Sequence, residues 1–194
     1  MVHILLVLLK SCGKVLPWVD IRVIDPGTLT DVKTGDVGEI WLRSGMVMKG
    51  YWNNPGASSE AIMDGGWLRT GDAAYLDEQG YIYLFDRFKD MIISGGENVY
   101  PAEVENAIYA HPAIQEVGVI GIPHERWGET PMAVIVLKTG HQVSPDELIA
   151  FVRQRLARYK CPTSVVVADM LPRNASGKLL KRELRRLHQP QTGT

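Results

Sequence analysis

Four groups of residues in this 194-residue chain are of types and spacings that could do chemistry. Asp72 follows a glycine in Thr70-Gly71-Asp72, an exposed-looking acid at the end of a strand. Asp86-Arg87-Phe88-Lys89-Asp90 places four charges in five residues between two apolar stretches. Gly95-Gly96-Glu97-Asn98 puts two glycines and two polar side chains into one loop. Lys178 follows Gly177 in the loop-like Pro172-Arg173-Asn174-Ala175-Ser176-Gly177-Lys178, a point charge suited to a phosphate or carboxylate. Each has a plainer reading: a turn acid, a solvated connector, a hairpin turn and a solvent-facing lysine. The first three fall within residues 66–101, where strand ends carry more charge and glycine than folding alone demands.

Other chemistries fare worse. A phosphate-cradling P-loop needs a glycine where Pro172 stands, and Ser or Thr where Leu179 follows the lysine. No His, Cys, Asp or Glu cluster has metal-ligand spacing, and no Gly-x-Ser-x-Gly is present. Six Lys or Arg residues lie from Arg173 to Arg186, but on a chain of net charge −1 they read as a solvated helix face rather than a nucleic-acid patch. Asn174-Ala175-Ser176 is a formal glycosylation sequon without other marks of secretion. Cys12 and Cys161 read as two reduced thiols and favour a cytoplasmic setting.

The elements that must position these groups fall into two kinds. Residues 21–24 and 39–42 read as strands separated by a turn-rich segment. Tyr51 and Trp52 are expected to pin the loop 45–55 to a core, and residues 58–63 to make a short helix capped by Ser58 or Ser59. Residues 73–76 and 81–85 flank a four-residue loop ending in Gly80, a hairpin, with Tyr81, Tyr83 and Phe85 on one face. After a strand at 91–94, helices alternate with strands. The helices are 101–110 with proline at its first position, one capped by Ser144 with Glu147 closing a capping box, and a last one beginning near Gly177 and Lys178. Strands are expected at 117–122, 132–138 and 164–168. The fold class is thus α+β. A β-rich, barrel-like subdomain over 13–86 and a hinge at 87–90 lead to a small α+β lid domain over 91–188. An atypical segment, 1–12, precedes these and a frayed tail, 189–194, follows. The apolar run 4–9 is too short to span a bilayer and lacks a signal peptide's flanks; a lipoprotein signal ending at Cys12 is the other reading.

Residues 13–187 resemble the C-terminal part of the adenylate-forming enzymes. The segments that carry the resemblance are Gly38-Glu39-Ile40, Gly50-Tyr51-Trp52-Asn53-Asn54-Pro55, Gly66-Trp67-Leu68-Arg69-Thr70-Gly71-Asp72 and Asp86-Arg87-Phe88-Lys89-Asp90. They continue with Ser94-Gly95-Gly96-Glu97-Asn98-Val99-Tyr100-Pro101, Gly128-Glu129 and the Lys178 loop. The wording of residues 86–105 is most similar to fatty-acyl-CoA ligases. The resemblance implies that a carboxylate is joined to ATP with release of pyrophosphate and then passed to the thiol of CoA or of a carrier protein's pantetheine. It implies that Asp72 and Arg87 contact the nucleotide ribose and that Lys178 bridges the carboxylate and the α-phosphate as the catalytic residue. Lys89 would be the hinge pivot, and Gly95, Gly96, Glu97 and Asn98 would line the pantetheine channel. The family's phosphate loop, Mg2+ motif and acyl pocket lie upstream of the matching region. The chain alone is therefore expected not to adenylate, and to self-associate or dock on the missing domain. A non-catalytic binding or regulatory fragment is the reading from a different class.

Overall fold

In a computed structural model, which describes residues 11–188, the chain divides into two compact units, Met1–Lys89 and Asp90–Thr194. The atypical start expected over 1–12 lies outside the described residues except for Ser11 and Cys12, and the frayed tail expected over 189–194 lies wholly outside them.

The first unit is built on one antiparallel sheet. Its strands are β1 (Gly13–Lys14), β2 (Asp20–Ile24), β3 (Gly38–Arg43), β4 (Ile62–Met63), β5 (Trp67–Leu76) and β6 (Tyr81–Arg87). They lie in the order β1-β6-β5-β3-β2, with β4 also paired to β5. Ile40, Ala74 and Ile82 are buried on one face with Val15, Ile21, Leu42 and Leu76 packed against them. Tyr75 stacks on Tyr83 at 4.6 Å and meets Phe85 at 5.7 Å. The period-two reading of β6 holds only in part, because a bulge shifts the register so that Ala73 faces Asp86 while Ala74 faces Leu84. Gly38 is required sterically: a Cβ there would stand 2.7 Å from the Ile24 carbonyl oxygen across the ladder.

The short helix starts earlier than expected. Helix α1 spans Pro55–Ala61, and Asn54, not Ser58 or Ser59, caps it by accepting from Ala57 N at 3.1 Å. Proline at the first helical position fixes that start. Ser58 instead turns inward along the helix and donates to Asn54 O at 2.7 Å. Trp52 is 91% exposed and Tyr51 52%, so neither pins this loop to a core within the described residues.

The second unit wraps a mixed sheet with helices. Its strands are β7 (Ile92–Ser94), β8 (Glu97–Val99), β9 (Ile114–His124), β10 (Gly128–Leu137) and β11 (Ser164–Val167), and its helices α2 (Pro101–Tyr109), α3 (Pro145–Arg153) and α4 (Lys181–His188). Central β10 pairs antiparallel with β9, parallel with β11, and with β7 at Gly128 opposite Ser94. Alternate residues of β9 and β10 face opposite cores. Val117, Val119, Ala133 and Ile135 meet Val104 and Ile108 of α2 and Leu148 and Val152 of α3. Ile120, Val134 and Val136 meet Leu171 and Leu184. A sheet buried on both faces reads as the continuous apolar runs seen in the sequence. Ser144 and Glu147 form the expected capping box on α3.

The last helix corrects the sequence reading. It begins at Lys181, not at Gly177-Lys178. The Asn174 side chain accepts from Ser176 N and Lys178 N at 3.1 and 2.8 Å, and Asn174 N donates to Lys178 O at 3.0 Å. This closes a tight turn with Gly177 at φ +83° before the helix can start.

Candidate functional site

In the first unit, the strand pairing brings together two of the sequence-flagged residues. Asp72 on β5 lies directly opposite Arg87 on β6, and the two form an ion pair with Arg87 Nε 2.9 Å from Asp72 Oδ1. Both side chains are partly open, 33% and 47% exposed respectively, so each presents polar atoms to solvent. Asp72 is neither a turn acid nor a loop residue. It sits at the end of a bulge in β5, where residues 69–73 span what Trp41 and Glu39 of β3 cover in three residues. Gly71 at φ +72° lets the strand bend there. Thr70 fastens the bend: its hydroxyl donates to Ile40 O at 2.7 Å and accepts from Asp72 N at 3.1 Å. A carboxylate beside a fixed guanidinium gives two acceptor oxygens and a fork of donors on one face.

Arg87 belongs to strand β6 rather than to a free connector. The chain then makes a single 3-10 turn, Phe88–Asp90, in which Lys89 is exposed. The two compact units meet in sequence between Lys89 and Asp90. On the far side Asp90 is tied into the second unit by Arg185 of α4, at 2.9 Å.

In the second unit, Gly95 and Gly96 form a two-residue turn joining β7 and β8, with Ser94 opposite Glu97. Their φ angles, +62° and +88°, are those such a hairpin turn demands. Glu97 and Asn98 are exposed residues at the start of β8. The plain hairpin reading thus describes the geometry, and it does not compete with a binding role. The turn is anchored by Gly95 N donating to Trp127 O at 2.9 Å, and Ile93 N donates to Glu129 Oε2 at 3.3 Å. Trp127 in turn stacks on His124 at 4.4 Å.

A cleft of about 400 Å³ opens beside this turn, lined among others by Gly95, Trp127, Arg153, Arg158, Tyr159 and Cys161. It combines aromatic walls with two guanidinium groups, a setting for a ligand with an apolar arm and anionic groups. Sequence reasoning missed Trp127, Arg153 and Arg158. Residues 153 and 158 come from α3 and the turn after it, some sixty residues from the glycines in sequence. Burial pushes the Cys161 thiol upward, partly offset by Arg153.

Lys178 is exposed on the closed turn after Asn174. Arg173 holds that turn, donating to Gly177 O at 2.6 Å and pairing with Glu116 of β9 at 2.7 Å, and this carboxylate holds the Arg173 guanidinium above its usual range. Three more of the basic residues are engaged: Lys181 with Glu105, Arg185 with Asp90 and Arg186 with Glu183. These pairs account for most of the basic face within the fold. Asn174 of the sequon is likewise engaged in its own turn.

Among the described residues there is no group of three or more His, Cys, Asp or Glu placed to hold a metal ion. No helix among them is long and apolar enough to cross a membrane. Cys12 and Cys161 are not joined in a disulfide.

The family model for the AMP-binding enzyme C-terminal domain matches residues 103–178, and that for AMP-binding enzymes matches residues 5–52, reaching into the segment set apart at the N-terminus. The chain is 49% identical over 176 residues to a feruloyl-CoA synthase of Amycolatopsis, matching 91% of this chain and 35% of that protein. It is 45% identical over 178 residues to a fatty acid–[acyl-carrier-protein] ligase of Streptomyces coeruleorubidus, covering 92% of this chain and 34% of the relative. Among solved structures, Bacillus subtilis o-succinylbenzoate CoA synthetase in complex with its acyl-adenylate superposes with a TM-score of 0.84. It is 42% identical and covers 96% of this chain and 37% of that one. The chain thus spans about a third of the length of the proteins it matches. It belongs to the AMP-binding, adenylate-forming enzymes related to acyl-CoA synthetases, and corresponds to the C-terminal part of their length.

Proposed function

We propose that this chain supplies the C-terminal half-site of an ATP-dependent acyl-CoA ligase acting on a fatty acid. In the first half-reaction a carboxylate oxygen attacks the α-phosphorus of ATP, the bond to the β-phosphate oxygen breaks, and pyrophosphate leaves. In the second, the CoA thiol attacks the acyl carbon, loses its proton, and AMP leaves with the bonding pair. Asp72 and Arg87 hold the ribose, Asp72 accepting from its hydroxyls. Lys178 offsets the negative charge that grows between the carboxylate and α-phosphate, a positioned cation acting where charge develops. The turn Gly95-Gly96 and the cleft beside it receive pantetheine, with Arg153 and Arg158 placed for the anionic end of CoA. Lys89 is the pivot that lets Lys178 serve one step and the glycine turn the other.

The observation that carries this reading is the cross-strand pair of Asp72 and Arg87, partly open and fixed by a bulge that sheet formation alone does not require. On this reading the contacts to triphosphate, Mg2+ and acyl chain are made by the part of the family's length upstream of the matched region, and these residues on their own bind nucleotide without turning it over. Unpaired cysteines accord with a reducing, cytoplasmic setting. Titration of the chain with AMP, alongside pyrophosphate exchange with ATP and fatty acids, tests this. Binding without exchange is the expected result, and clear exchange or no AMP binding would sink it. A carrier protein's pantetheine is the second acceptor to try, because a relative named as an acyl-carrier-protein ligase matches as much of this chain as the CoA-linked ones. Thioester formation with CoA against carrier separates the two.

A further inference from the structure

Glu39 is a carboxylate buried to 3% exposure on a β-strand, a placement that costs several kcal/mol unless the charge is paired and hydrogen-bonded. Its partners form one cluster. Trp41 Nε1 and Arg69 Nε donate to its Oε2 at 3.1 and 3.0 Å, and the Arg69 guanidinium completes an ion pair at 2.9 Å. Its other oxygen, Oε1, accepts from the backbone N–H of Gly71 at 3.1 Å. Arg69 and Gly71 are the residues on which the β5 bulge turns, and Gly71 is the residue immediately before Asp72.

The ladder explains why a side chain is needed there. Between the β3 pairings at Arg69 and Ala73, Thr70, Gly71 and Asp72 have no Cα partner on β3, so Gly71 N cannot be satisfied by a regular rung. The carboxylate of Glu39 reaches across and takes that rung's place, while Thr70 holds Asp72 N. The bulge, and with it the direction of the Asp72 carboxylate toward Arg87, is therefore set from below by a buried charge that itself cannot touch a nucleotide.

We infer that Glu39 is a positioning residue for the nucleotide site, acting through Gly71 on Asp72. This rests on the reading of Asp72 as the ribose ligand, and the test keeps the two apart. Glu39→Gln is close in size, yet no orientation of its amide can serve all three donors: keeping the two on Oε2, Trp41 and Arg69, turns the NH2 group against Gly71 N. Ile40→Val, one position along the strand and 7% exposed, loosens the same sheet without touching the carboxylate. Amide exchange by NMR and AMP titration are measured on the 194-residue chain for both. For Glu39→Gln, exchange at Gly71 and Asp72 should rise by roughly tenfold or more beyond any rise at Ala74 and Ile82, the scale of losing a hydrogen bond to a charged acceptor. AMP affinity should fall by about tenfold in parallel. Ile40→Val should raise exchange evenly and leave AMP affinity within about twofold. An even rise in Glu39→Gln, or no rise at Gly71, overturns the inference. If the unsubstituted chain binds no AMP, the ribose reading fails, and the exchange comparison alone then upholds or overturns the role of Glu39.

Discussion

Leu184→Ala probes how the Lys178 loop is held. Leu184 is 1% exposed, and its Cδ1 lies 2.7 Å from where a Cβ on Gly118 would stand, so β9 was left bare to receive it. Leu179 and Leu171 line the same hollow, at 3.0 and 3.8 Å from that point. Removing three buried carbons at about 0.8 kcal/mol each loses roughly 2.4 kcal/mol of transfer energy. A cavity that Gly118 cannot help fill adds to this, giving roughly 3–4 kcal/mol in all. For a unit of this size such a loss corresponds to a fall in melting temperature of some tens of degrees at most and about 12 °C at least. Urea titration of the chain, followed by the signal of the second unit, measures it. Because Leu184 N donates to Leu180 O and Leu180 N to Pro172 O, the loss should also speed exchange across residues 172–180. Leu187→Ala, at a 57% exposed position on the same helix, should change stability by less than about 0.5 kcal/mol. A cost below about 1 kcal/mol for Leu184→Ala, or one equal to that of Leu187→Ala, refutes the packing argument.

Other consequences are as direct. Gly96 at φ +88° sits where a β-branched residue is strained by about 1–3 kcal/mol, so Gly96→Val should disrupt the β7–β8 turn and weaken CoA binding, while Gly96→Asn is milder; calorimetric titration with CoA ranks the three. Hydrogen bonds from Ser144 N and the Ser144 hydroxyl hold the Glu147 carboxyl below its ordinary value of 4.5. A depressed pKa means stability that is full above the unfolded value and is lost as pH falls through the folded one. The stability gap between the native chain and Glu147→Gln should therefore be open at neutral pH and close on acidification below about pH 4.5. In alkylation at pH 8 read by mass spectrometry, exposed Cys12 should be modified well before Cys161, whose thiol is buried and raised; equal rates would contradict that burial.

What could be read from the sequence divides along physical lines. The apolar runs of β9 and β10, the capping box of Ser144 and Glu147, and proline at the start of α2 are local patterns, and they appear where local energetics place them. The early start of α1 was missed because Pro55 outweighed two serines as a start signal, and both serines were then spent inside the helix. The late start of α4 has a similar cause: Asn174 captures three donors in succession, a competition that helical periodicity does not display. Asp72 and Arg87 were both singled out by type, but their ladder partnership depends on a two-residue bulge that no period reveals. The cleft beside Gly95 draws on Arg153 and Arg158, and only the tertiary fold joins them to the glycines.

The central claim is that Lys178 and the Gly95-Gly96 turn serve different half-reactions. It is tested most directly in a hybrid in which residues 13–188 replace the matching segment of Bacillus subtilis o-succinylbenzoate CoA synthetase, 42% identical to this chain. Pyrophosphate exchange reports adenylation, and acyl transfer from preformed acyl-adenylate to CoA reports the second step. Lys178→Ala should lower exchange by about a hundredfold or more, the scale of removing one positioned charge stabiliser, and leave acyl transfer within about threefold. Gly96→Val should do the reverse. Equal losses in both steps for both variants would contradict the division of labour.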